Sequence, residues 1–559
     1  MSLYFAANPK DNFMTTLIET NDAVANSATA YSMTAGDQFF GTLDAATSDW
    51  IKVTITQTGT YSLGVVGVGA DASGLTDPTL ILHDAAGNTV LLSSNDGPGK
   101  FAQITVDAPA AGTWYVEVAA PGGASAGDYG LVVTEGAKPS YDVEMGAAIL
   151  YRPGVTWADG PDTAATVTWG IRSEGKTTDA SGNAAPFYQL TIAQIDAAKT
   201  ALANYSDVGN ITFQQLNPGG NSNDATIEMG AYQSRKDGAG AFSYYPDNTN
   251  AASPSGDLWL NDQYVSRDDL PFGSYDFFVI LHELGHAMGL AHPGDYNAAP
   301  GVKITYDNSA QFVQDSEQYS VMSYFHANAT QPDSPKSYAD TLMMYDIYAV
   351  QQMYGVNHNT RASDDTYGFH ANVGGAYDFT VNTDPLMCIW DGGGVDTLDL
   401  SGFKRAQSID LRDGHFSDVA GWTGNLSIAV GAVIENAIGG TKADAITGND
   451  ADNMLKGSKG DDSLAGGAGD DLLIGNRGAD SFVFAEGMGS GTVKDFNLTN
   501  DHLVLNADLW GGATMTAADV LSTYGTVIAG TFVLDFGLAE ISLTGLTSSA
   551  GLETQIVFA

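Results

Sequence analysis

The chain has 559 residues and a net charge of −44, from 66 acidic and 22 basic residues, and its only cysteine is Cys388. A negative field of this size repels phosphate backbones and anionic lipid, so we expect no nucleic-acid partner, whereas it favours hard cations such as calcium. A single cysteine excludes an intramolecular disulfide, and no apolar run is long enough to predict a membrane span.

Residues 1–20 form an N-terminal segment that lacks the basic patch and apolar core of a cleavable secretory signal. Residues 21–136 follow with short alternating stretches, such as Ile51, Val53 and Ile55, which are separated by Gly, Pro, Asn and Asp. This spacing predicts an all-β sandwich. The stretches DWIKVTI, GTYSL, DPTLILHDAAGNTV and GTWYVEV resemble the bacterial pre-peptidase C-terminal domain. That family accompanies secreted peptidases, and the resemblance implies a binding or structural role here.

A linker, EGAKPSYD, leads into residues 140–358, where helix and strand patterns mix and predict an α+β domain. Strands are expected at ATVTWGIR, ITFQQL, ATIEMG, AFSYY and DLWLN. One helix should start at the capping-box pair Thr191 and Gln194, a second should run through FFVILHELGHAMGL, and a third should follow Tyr338 and stop at Gly355. The expected apolar faces of the first and third helices are Ile192, Ile195, Ala198, Leu202 and Tyr205, and Met343, Ile347, Val350 and Tyr354.

The segment HELGHAMGLAH, residues 282–292, has the spacing of a catalytic zinc site. His282 and His286 are four residues apart, so a helix presents both imidazoles on one face. Gly289 can take a left-handed backbone that ends the helix and brings His292 to a third corner. Three neutral histidines leave one coordination position open, which is typical of catalytic zinc. Glu283 would take a proton from a water on the metal and pass it to the leaving amine.

The segment SVMSY, residues 320–324, joins HELGHAMGLAH and HPGDY in a pattern that resembles the metzincins, and more narrowly the serralysin-like proteases. The resemblance runs from about residue 140 to the end of the sequence, through GDLWLN, IWDGGGVDTLDLSGF and NLSIAVGAVIENAIGG. It implies a zinc endopeptidase in which Met322 lies beneath the zinc and Tyr324 is an additional zinc ligand. Tyr324 would leave the metal when substrate binds and then hydrogen-bond the oxyanion.

The same analogy makes AFSYY the edge strand against which an extended peptide adds as another strand. Bonding through the backbone would give weak sequence preference. The expected substrate-binding residues are Ala241, Phe242, Ser243 and Tyr244.

Five nine-residue segments share one register: GGTKADAIT from residue 439, then GNDADNMLK, GSKGDDSLA, GGAGDDLLI and GNRGADSFV. They match the repeat of a calcium-binding parallel β-roll, in which the apolar eighth residues face inward. Two repeats make one coil, so carboxylates two repeats apart should share calcium, and Asp462 should serve two sites. Neutral Asn453, and Lys442 where glycine is usual, should weaken their loops. The expected ligands are the sixth residues, Asp444, Asn453, Asp462, Asp471 and Asp480.

The segment DGGGVD, residues 391–396, resembles a further calcium loop of the family. It would pair with residues 361–365, mostly through backbone oxygens, although a serine stands where glycine is usual. The expected calcium-binding residues are Asp391, Gly393, Asp396, Arg361, Ser363 and Asp365.

The repeats also suggest a route of export. Crowded carboxylates repel without calcium, so the repeats should stay unfolded in the cell and fold in millimolar external calcium. The family resemblance adds an uncleaved C-terminal signal read by type I secretion machinery, and Glu553 followed by residues 556–558, Ile-Val-Phe, is similar to that ending. We therefore expect a secreted, extracellular protein.

The sequence predicts a multidomain chain: an N-terminal all-β sandwich, an α+β metzincin protease domain, and an RTX β-roll over residues 359–559 that ends in a β-sandwich-like region. The expected activity is hydrolysis of peptide bonds in extracellular proteins by a monomer with one catalytic zinc and several structural calcium ions. One alternative is a calcium-folded surface or adhesion protein with a vestigial protease domain. Another is a processing protease directed at one partner through its N-terminal domain.

Overall fold

The computed structural model describes residues 15–559 except 21–22, 45–46, 70–73, 76, 95–100, 109, 121–125, 153, 176–177, 251–252, 298–301 and 538. Residues 1–14 of the expected N-terminal segment therefore lie outside the described residues. The described chain divides into two compact units. One contains residues up to 330 together with 345–357, and the other contains residues 331–344 and 358–559.

Ten strands form two five-stranded sheets in the N-terminal region. Alternate residues of the strand Ser48–Ile55, among them Ile51 and Val53, are buried in one hydrophobic cluster to which both sheets contribute, as the alternation predicted. The first sheet has the order β1 (Thr16–Ile18), β3 (Gln38–Leu43), β10 (Gly127–Glu135), β5 (Gly59–Gly67) and β8 (Phe101–Ala108). The second has the order β2 (Ser32–Thr34), β4 (Ser48–Ile55), β9 (Gly112–Ala119), β6 (Thr79–His83) and β7 (Thr89–Ser94). β1 pairs with β3, so the first sheet starts before residue 21.

The described central region contains one mixed sheet of six strands: β11 (Ala165–Ile171), β12 (Phe187–Tyr188), β13 (Ile211–Gln215), β14 (Ile227–Tyr232), β15 (Ala241–Ser243) and β16 (Leu258–Asn261). Their order is β13-β11-β14-β16-β15, and β12 pairs with β14. β15 is antiparallel to β16 and lies at one edge, whereas the other strands in that order are parallel to their neighbours.

Among the described residues, five α-helices and one short 3-10 helix, Ala327–Ala329, accompany this sheet. The α-helices are α1 (Val143–Leu150), α2 (Ile192–Val208), α3 (Tyr275–Ala287), α4 (Tyr306–Ser309) and α5 (Met344–Tyr354). The predicted capping box of Thr191 and Gln194 starts α2. The prediction that Ile192 lies on the apolar face was wrong, because Ile192 is 79% exposed. The buried position in the first turn belongs to Gln194, whose amide donates to Asp262 and to the Ser266 carbonyl.

The C-terminal region is built from short, mostly parallel strands that return every 18 residues in the repeats, where Ile446 pairs with Leu464 and Leu464 with Phe482. This is consistent with the predicted β-roll. One sheet has nine strands: β17 (Thr366–Gly368), β19 (Thr397–Asp399), β23 (Asn436–Ile438), β25 (Met454–Lys459), β27 (Asp470–Arg477), β29 (Ser490–Val493), β33 (Glu540–Leu543), β32 (Thr531–Asp535) and β31 (Gly525–Ile528).

A second sheet of six parallel strands accompanies it: β20 (Ser408–Asp410), β24 (Ala445–Thr447), β26 (Ser463–Ala465), β28 (Ser481–Phe484), β30 (His502–Leu505) and β34 (Ile556–Phe558). The described C-terminal residues also form a three-stranded sheet of β18 (Met387–Ile389), β22 (Leu426–Ile428) and β21 (Phe416–Ser417), helix α6 (Ala517–Tyr524), and short 3-10 helices at Gly375–Tyr377, Ala507–Trp510 and Leu552–Thr554. The predicted inward residues of all five repeats are buried: Ile446, Leu455, Leu464, Leu473 and Phe482. Within the described ranges, no helix has the length and apolar character needed to cross a bilayer.

Candidate metal centre

Helix α3 carries the first two histidines of the predicted zinc motif. Its N-cap Ser274 accepts a hydrogen bond from the Phe277 amide, and Asp276 lies in the first turn, where a negative charge is favourable. The helix is buried from Phe277 to Ala287, so His282 and His286 project from a rigid, largely dehydrated element.

The turn after α3 depends on Gly289, whose φ of +102° is the left-handed region that was predicted. A Cβ at this position would lie 2.1 Å from the Val155 carbonyl oxygen, so the chain passes too close for any side chain. Leu290 then donates to the Gly285 carbonyl and forms a bridge with Tyr151. These contacts direct His292 back toward the helix.

The three histidines converge on one point. The Nε2 atom of His292 lies 3.1 Å from that of His286 and 3.3 Å from that of His282. Each Nδ1 atom lies 2.7–2.9 Å from a backbone carbonyl, which only accepts, so each Nδ1 carries the proton and each Nε2 is a bare lone pair. The carbonyls are those of Val321, Leu290 and Tyr296.

Three bare lone pairs repel one another unless a cation lies between them. Nitrogen ligands at 2.0–2.1 Å from a tetrahedral zinc are separated by about 3.3–3.4 Å, which is close to the spacing found here. Burial lowers the pKa of His282 to about 4 and that of His286 to about 3, so both rings are neutral at pH 7, as metal ligation requires. The donor set therefore fits zinc.

Glu283 follows the first histidine and is 7% exposed. Burial raises its pKa to about 8, so the carboxyl has a strong affinity for a proton. Among the described residues, none donates a hydrogen bond to it. A carboxyl with this proton affinity beside a metal site can act as a general base and then as a general acid.

The segment 320–324 lies directly against α3. A Cβ at Gly285 would lie 2.3 Å from the Met322 sulfur, so the methionine side chain occupies the space that the missing side chain of this glycine leaves beside α3. Asp346 of α5 fixes the segment from below, since its carboxylate accepts from the Ser320 hydroxyl and the Val321 amide at 2.7 Å each. The Val321 carbonyl in turn accepts a hydrogen bond from Nδ1 of His282.

Tyr324 lies beside the three histidines and is 36% exposed. Its ring centroid lies 4.5 Å from that of His292 and 5.7 Å from that of His282. Tyr296 packs against both His292 and Tyr324, at 5.5 and 5.1 Å. The predicted tyrosine is therefore beside the histidine cluster.

Sequence reasoning missed two carboxylates that support the site. Asp315 is fully buried, and its Oδ1 accepts from the Tyr296 and Ser323 hydroxyls at 2.8 Å each. Asp346 is equally buried. An acidic residue on the apolar side of α5 was a signal for Asp346, but nothing local marks Asp315.

The predicted substrate strand, β15, is the outer strand of the central sheet. Phe242 packs between Trp259 and Tyr244, with ring centroids 6.5 and 5.9 Å apart. The next residue, Tyr245, places its ring 5.4 Å from that of His286. The edge therefore leads directly to the histidine cluster.

The repeat carboxylates are brought together as predicted. The Asp444 amide donates to Asp462, the Asp462 amide to Asp480 and the Asn453 amide to Asp471, at 2.8–3.0 Å. The Asp480 amide continues the row to Asp501, which lies beyond the repeats and was not predicted. All six of these side chains are buried.

Two features of these loops fit a cation. The Oδ2 atom of Asp462 is buried and has no hydrogen-bond partner among the described residues, and burial raises the pKa of this carboxyl to about 7. The side chain of Asn453 instead has a hydrogen-bond partner, because its Nδ2 donates to the side-chain oxygen of Asn449 at 2.8 Å. A divalent ion bound by oxygen ligands would relieve the cost at Asp462 and gain less at Asn453.

The DGGGVD loop gives a second carboxylate cluster. Ligand oxygens of Asp365, Asp391 and Asp396 lie within 4.8 Å of one another, and within the described part of the chain the Oδ2 atom of Asp396 has no hydrogen-bond partner. The Gly393 amide donates to Asp391. The backbone carbonyl of Ser363 lies 2.4 Å from where a Cβ of Gly394 would be, so this carbonyl faces the loop.

The side chain of Arg361 has no oxygen with which to bind a cation, and its guanidinium donates to the Trp390 carbonyl at 2.6 Å. Any role in binding a cation would fall to its backbone, as the sequence analysis expected. The loop thus offers three carboxylates and backbone carbonyls, a donor set suited to calcium.

Three family models match the chain. Residues 47–120 match the bacterial pre-peptidase C-terminal domain, residues 184–325 match matrixin, and residues 356–510 match the peptidase M10 serralysin C terminal. The crystal structure of a pre-peptidase C-terminal domain of collagenase from Bacillus anthracis aligns with 19% of this chain and 93% of that chain, at 16% identity and a TM-score of 0.15, which is too low to carry an argument.

Curated relatives cover most of the molecule. Metallopeptidase AprA of Pseudomonas marginalis is 41% identical over 452 residues, which are 76% of this chain and 93% of the relative. Serralysin G of Dickeya chrysanthemi is 41% identical over 393 residues, 66% of this chain and 79% of the relative. Serralysin of Proteus mirabilis is 39% identical over 332 residues, 57% of this chain and 66% of the relative. The chain belongs to the serralysin family and is a zinc metalloendopeptidase.

Proposed function

We propose that this protein is a secreted, calcium-stabilised endopeptidase that hydrolyses peptide bonds of extracellular proteins, with zinc held by His282, His286 and His292. The observation that carries the proposal is the convergence of three bare Nε2 atoms whose ring orientations are fixed by backbone carbonyls. Tyr324 supplies a further ligand. When bound, zinc provides Lewis-acid chemistry that activates water and polarises a carbonyl.

Glu283 accepts the proton of the attacking water and returns it to the leaving amine. Its burial and raised pKa, to about 8, suit both halves of that transfer. The hydroxyl of Tyr324 donates to the oxyanion as charge develops there. Met322 fills the space under the histidines and keeps α3 and the Tyr324 segment in register.

Substrate is proposed to add to β15 as an extended strand, with Ala241, Phe242, Ser243 and Tyr244 providing its partner edge. The edge position of β15 and the contact of the next aromatic ring, Tyr245, with His286 support this. Since main-chain bonding carries little sequence information, cleavage should tolerate many side chains.

The C-terminal region is proposed to be a calcium-bound β-roll. Its sites use Asp444, Asn453, Asp462, Asp471 and Asp480, and the DGGGVD loop forms another. Among the described residues, one oxygen each of Asp462 and Asp396 is buried without a hydrogen-bond partner, and this supports a requirement for calcium in folding. Because the repeats then fold only in external calcium, the chain can be exported unfolded through type I secretion machinery. After export it acts as a monomer.

The test is zinc content and casein hydrolysis by the full chain in millimolar calcium, with a zinc-selective chelator and with zinc restored. We expect one zinc per chain and chelator-sensitive hydrolysis, both lost in His292→Ala. His370→Asn is the control, since that exposed ring lies in the C-terminal unit beside Asp399. Hydrolysis by zinc-free protein, or by His292→Ala, would contradict the proposal.

A panel of unrelated proteins decides between general digestion and the narrower processing protease. Cleavage of many unfolded substrates supports the former. The adhesion alternative is not favoured, since the named relatives are metalloproteases.

A further inference from the structure

In the first sheet of the N-terminal region, the neighbouring strands β5 and β10 carry Gly64 and Gly130 on the same face. A Cβ on Gly64 would lie 2.4 Å from the Tyr141 hydroxyl oxygen and 3.0 Å from Pro139. A Cβ on Gly130 would lie 2.8 Å from the Met145 sulfur. Both partners are buried, at 2% exposure for Tyr141 and 0% for Met145. The sheet therefore has glycine where the linker and α1 lie against it.

The linker binds a second segment, residues 310–315, which we call the strap. The Val313 amide donates to the Pro139 carbonyl at 2.9 Å. The Gln314 side chain accepts from the Tyr141 amide at 3.0 Å and donates to the Ser140 hydroxyl at 2.6 Å. These bonds fix the strap through both its backbone and a side chain.

Further contacts hold the ends of the strap. The Lys138 ammonium donates to the Ala310 carbonyl and lies 5.5 Å from the centre of the Tyr306 ring. The rings of Tyr141 and Phe312 pack at 5.2 Å, and Phe312 is 1% exposed. The strap is thus built into the junction between linker and protease region.

The strap ends at Asp315, which binds two parts of the proposed active site. Its Oδ1 accepts from the Tyr296 hydroxyl, and the Tyr296 carbonyl receives Nδ1 of His292. The same oxygen accepts from the hydroxyl of Ser323, the residue before Tyr324. One buried carboxylate therefore positions both the third histidine and the tyrosine.

A second route runs through α1. Met145 lies on the N-terminal sheet, and Leu150 at the end of the helix accepts from the Ala291 amide at 2.5 Å. Ala291 immediately precedes His292. The N-terminal sheet is therefore connected to the third histidine from two directions.

We propose that the N-terminal β-sandwich is a positioning domain of the peptidase, which docks on the linker and holds the strap so that Asp315 sets the geometry of His292 and Tyr324. The inference rests on the proposed zinc site and gives the sandwich a role in its activity. Glycines at the docking face, a strap held by backbone and side-chain bonds, and a buried carboxylate at its end form one continuous set of contacts. A domain joined only by a tether would not need them.

The test compares two alanine substitutions on the same strand of the full chain. Gly64→Ala places a methyl group against Tyr141, whereas Gly59→Ala meets nothing closer than 3.6 Å. Two quantities are measured at equal zinc content: kcat and KM on a quenched peptide, and the rate of zinc release to a chromogenic chelator. We expect Gly64→Ala to lower kcat about five- to tenfold, to leave KM within twofold, and to accelerate zinc release. Gly59→Ala should match wild type in both.

A rescue variant distinguishes positioning from general damage. The Tyr141 hydroxyl has no hydrogen-bond partner in the residues that the structure describes, so Tyr141→Phe costs little and removes the atom that the new methyl meets first. Gly64→Ala with Tyr141→Phe should recover part of the lost kcat and slow zinc release again. If Gly64→Ala does not fold, Gln314→Ala makes the same test by releasing the strap.

If the folded Gly64→Ala or Gln314→Ala variant keeps wild-type kcat and zinc release while only its melting temperature falls, the sandwich is a structural appendage and the inference is wrong. If wild type hydrolyses nothing, the proposed function fails, but zinc release still decides whether the docking face positions the histidines.

Discussion

Replacing Gly289 by alanine should damage the metal site more than any other single methyl group in the motif. The backbone there has a φ of +102°, and a Cβ would lie 2.1 Å from the Val155 carbonyl oxygen and 2.8 Å from the Met353 methyl group. A left-handed backbone costs an L-residue about 1–2 kcal/mol. Forcing an extra carbon into a packed site costs about 1–3 kcal/mol more. The expected total is about 2–5 kcal/mol.

That strain falls three residues before His292, on the turn that carries the ring to the other two. Each 1.4 kcal/mol expressed in binding weakens affinity tenfold. We therefore expect Gly289→Ala to bind zinc at least tenfold more weakly than wild type, with a matching loss of hydrolysis at limiting zinc. The assay is competition with a zinc chelator of known affinity.

Gly182→Ala is the matched control. Gly182 has a φ of +81°, and nothing lies within 4 Å of its Cβ position, so this variant carries the backbone cost without the collision. It should keep wild-type zinc affinity. Equal zinc affinity of the Gly289→Ala and Gly182→Ala variants would refute the argument that close packing at the turn positions the third histidine.

Three more predictions concern the tyrosine and the repeats. Tyr324→Phe should lower kcat about 100- to 1,000-fold with zinc retained, measured on a quenched peptide, because a donor to the oxyanion is lost; an unchanged kcat would remove the tyrosine from the mechanism. Asp462→Asn should raise the calcium concentration needed for folding, followed by circular dichroism, whereas the same change at its exposed neighbour Asp461 should not; equal midpoints would contradict the two-site role. In calcium-free buffer, low pH should promote folding of the repeats, because burial raises the pKa of Asp462 and Asp471 from 3.8 to about 7, so the folded state binds more protons than the unfolded state between those values. Circular dichroism of the calcium-free protein at pH 5 and pH 8 measures this, and more β structure at pH 8 than at pH 5 would contradict it.

The features that could be predicted from the sequence depend on local spacing. The spacing of four residues from His282 to His286 places both on one helix face, and glycine at 289 adopts the left-handed backbone of the turn at little cost. The nine-residue repeat places Asp444 beside Asp462 because two repeats return the chain to the same sheet. In these cases periodicity alone determines which groups meet.

Contacts between distant segments could not be predicted in this way. Gln314 binds Tyr141 across 173 residues, and no local pattern marks either partner. Asp315 likewise reads as one acidic residue among 66. Its role appears only when folding brings Tyr296 and Ser323 to the same oxygen.

The error at Ile192 has a different origin. Helical periodicity gave it a place on the apolar face, but the first turn of α2 buries a polar residue instead. Gln194 is fully buried because its amide satisfies two acceptors and its carbonyl caps Thr191. Hydrogen bonds of Gln194, rather than the hydrophobic pattern, determine which residue of this turn is buried. Helical periodicity of apolar residues does not reveal such bonds.

The central claim is that Glu283 moves the proton at a zinc site formed by three histidines. The most direct test is kcat/KM on a quenched peptide for Glu283→Gln at the same zinc content as wild type. Glu174→Gln, at an exposed position, is the control for the chemical change. We predict that Glu283→Gln keeps zinc and loses about 10²–10⁴ in rate, while the control keeps full activity. Hydrolysis within threefold of wild type by the zinc-loaded Glu283→Gln variant would contradict the account.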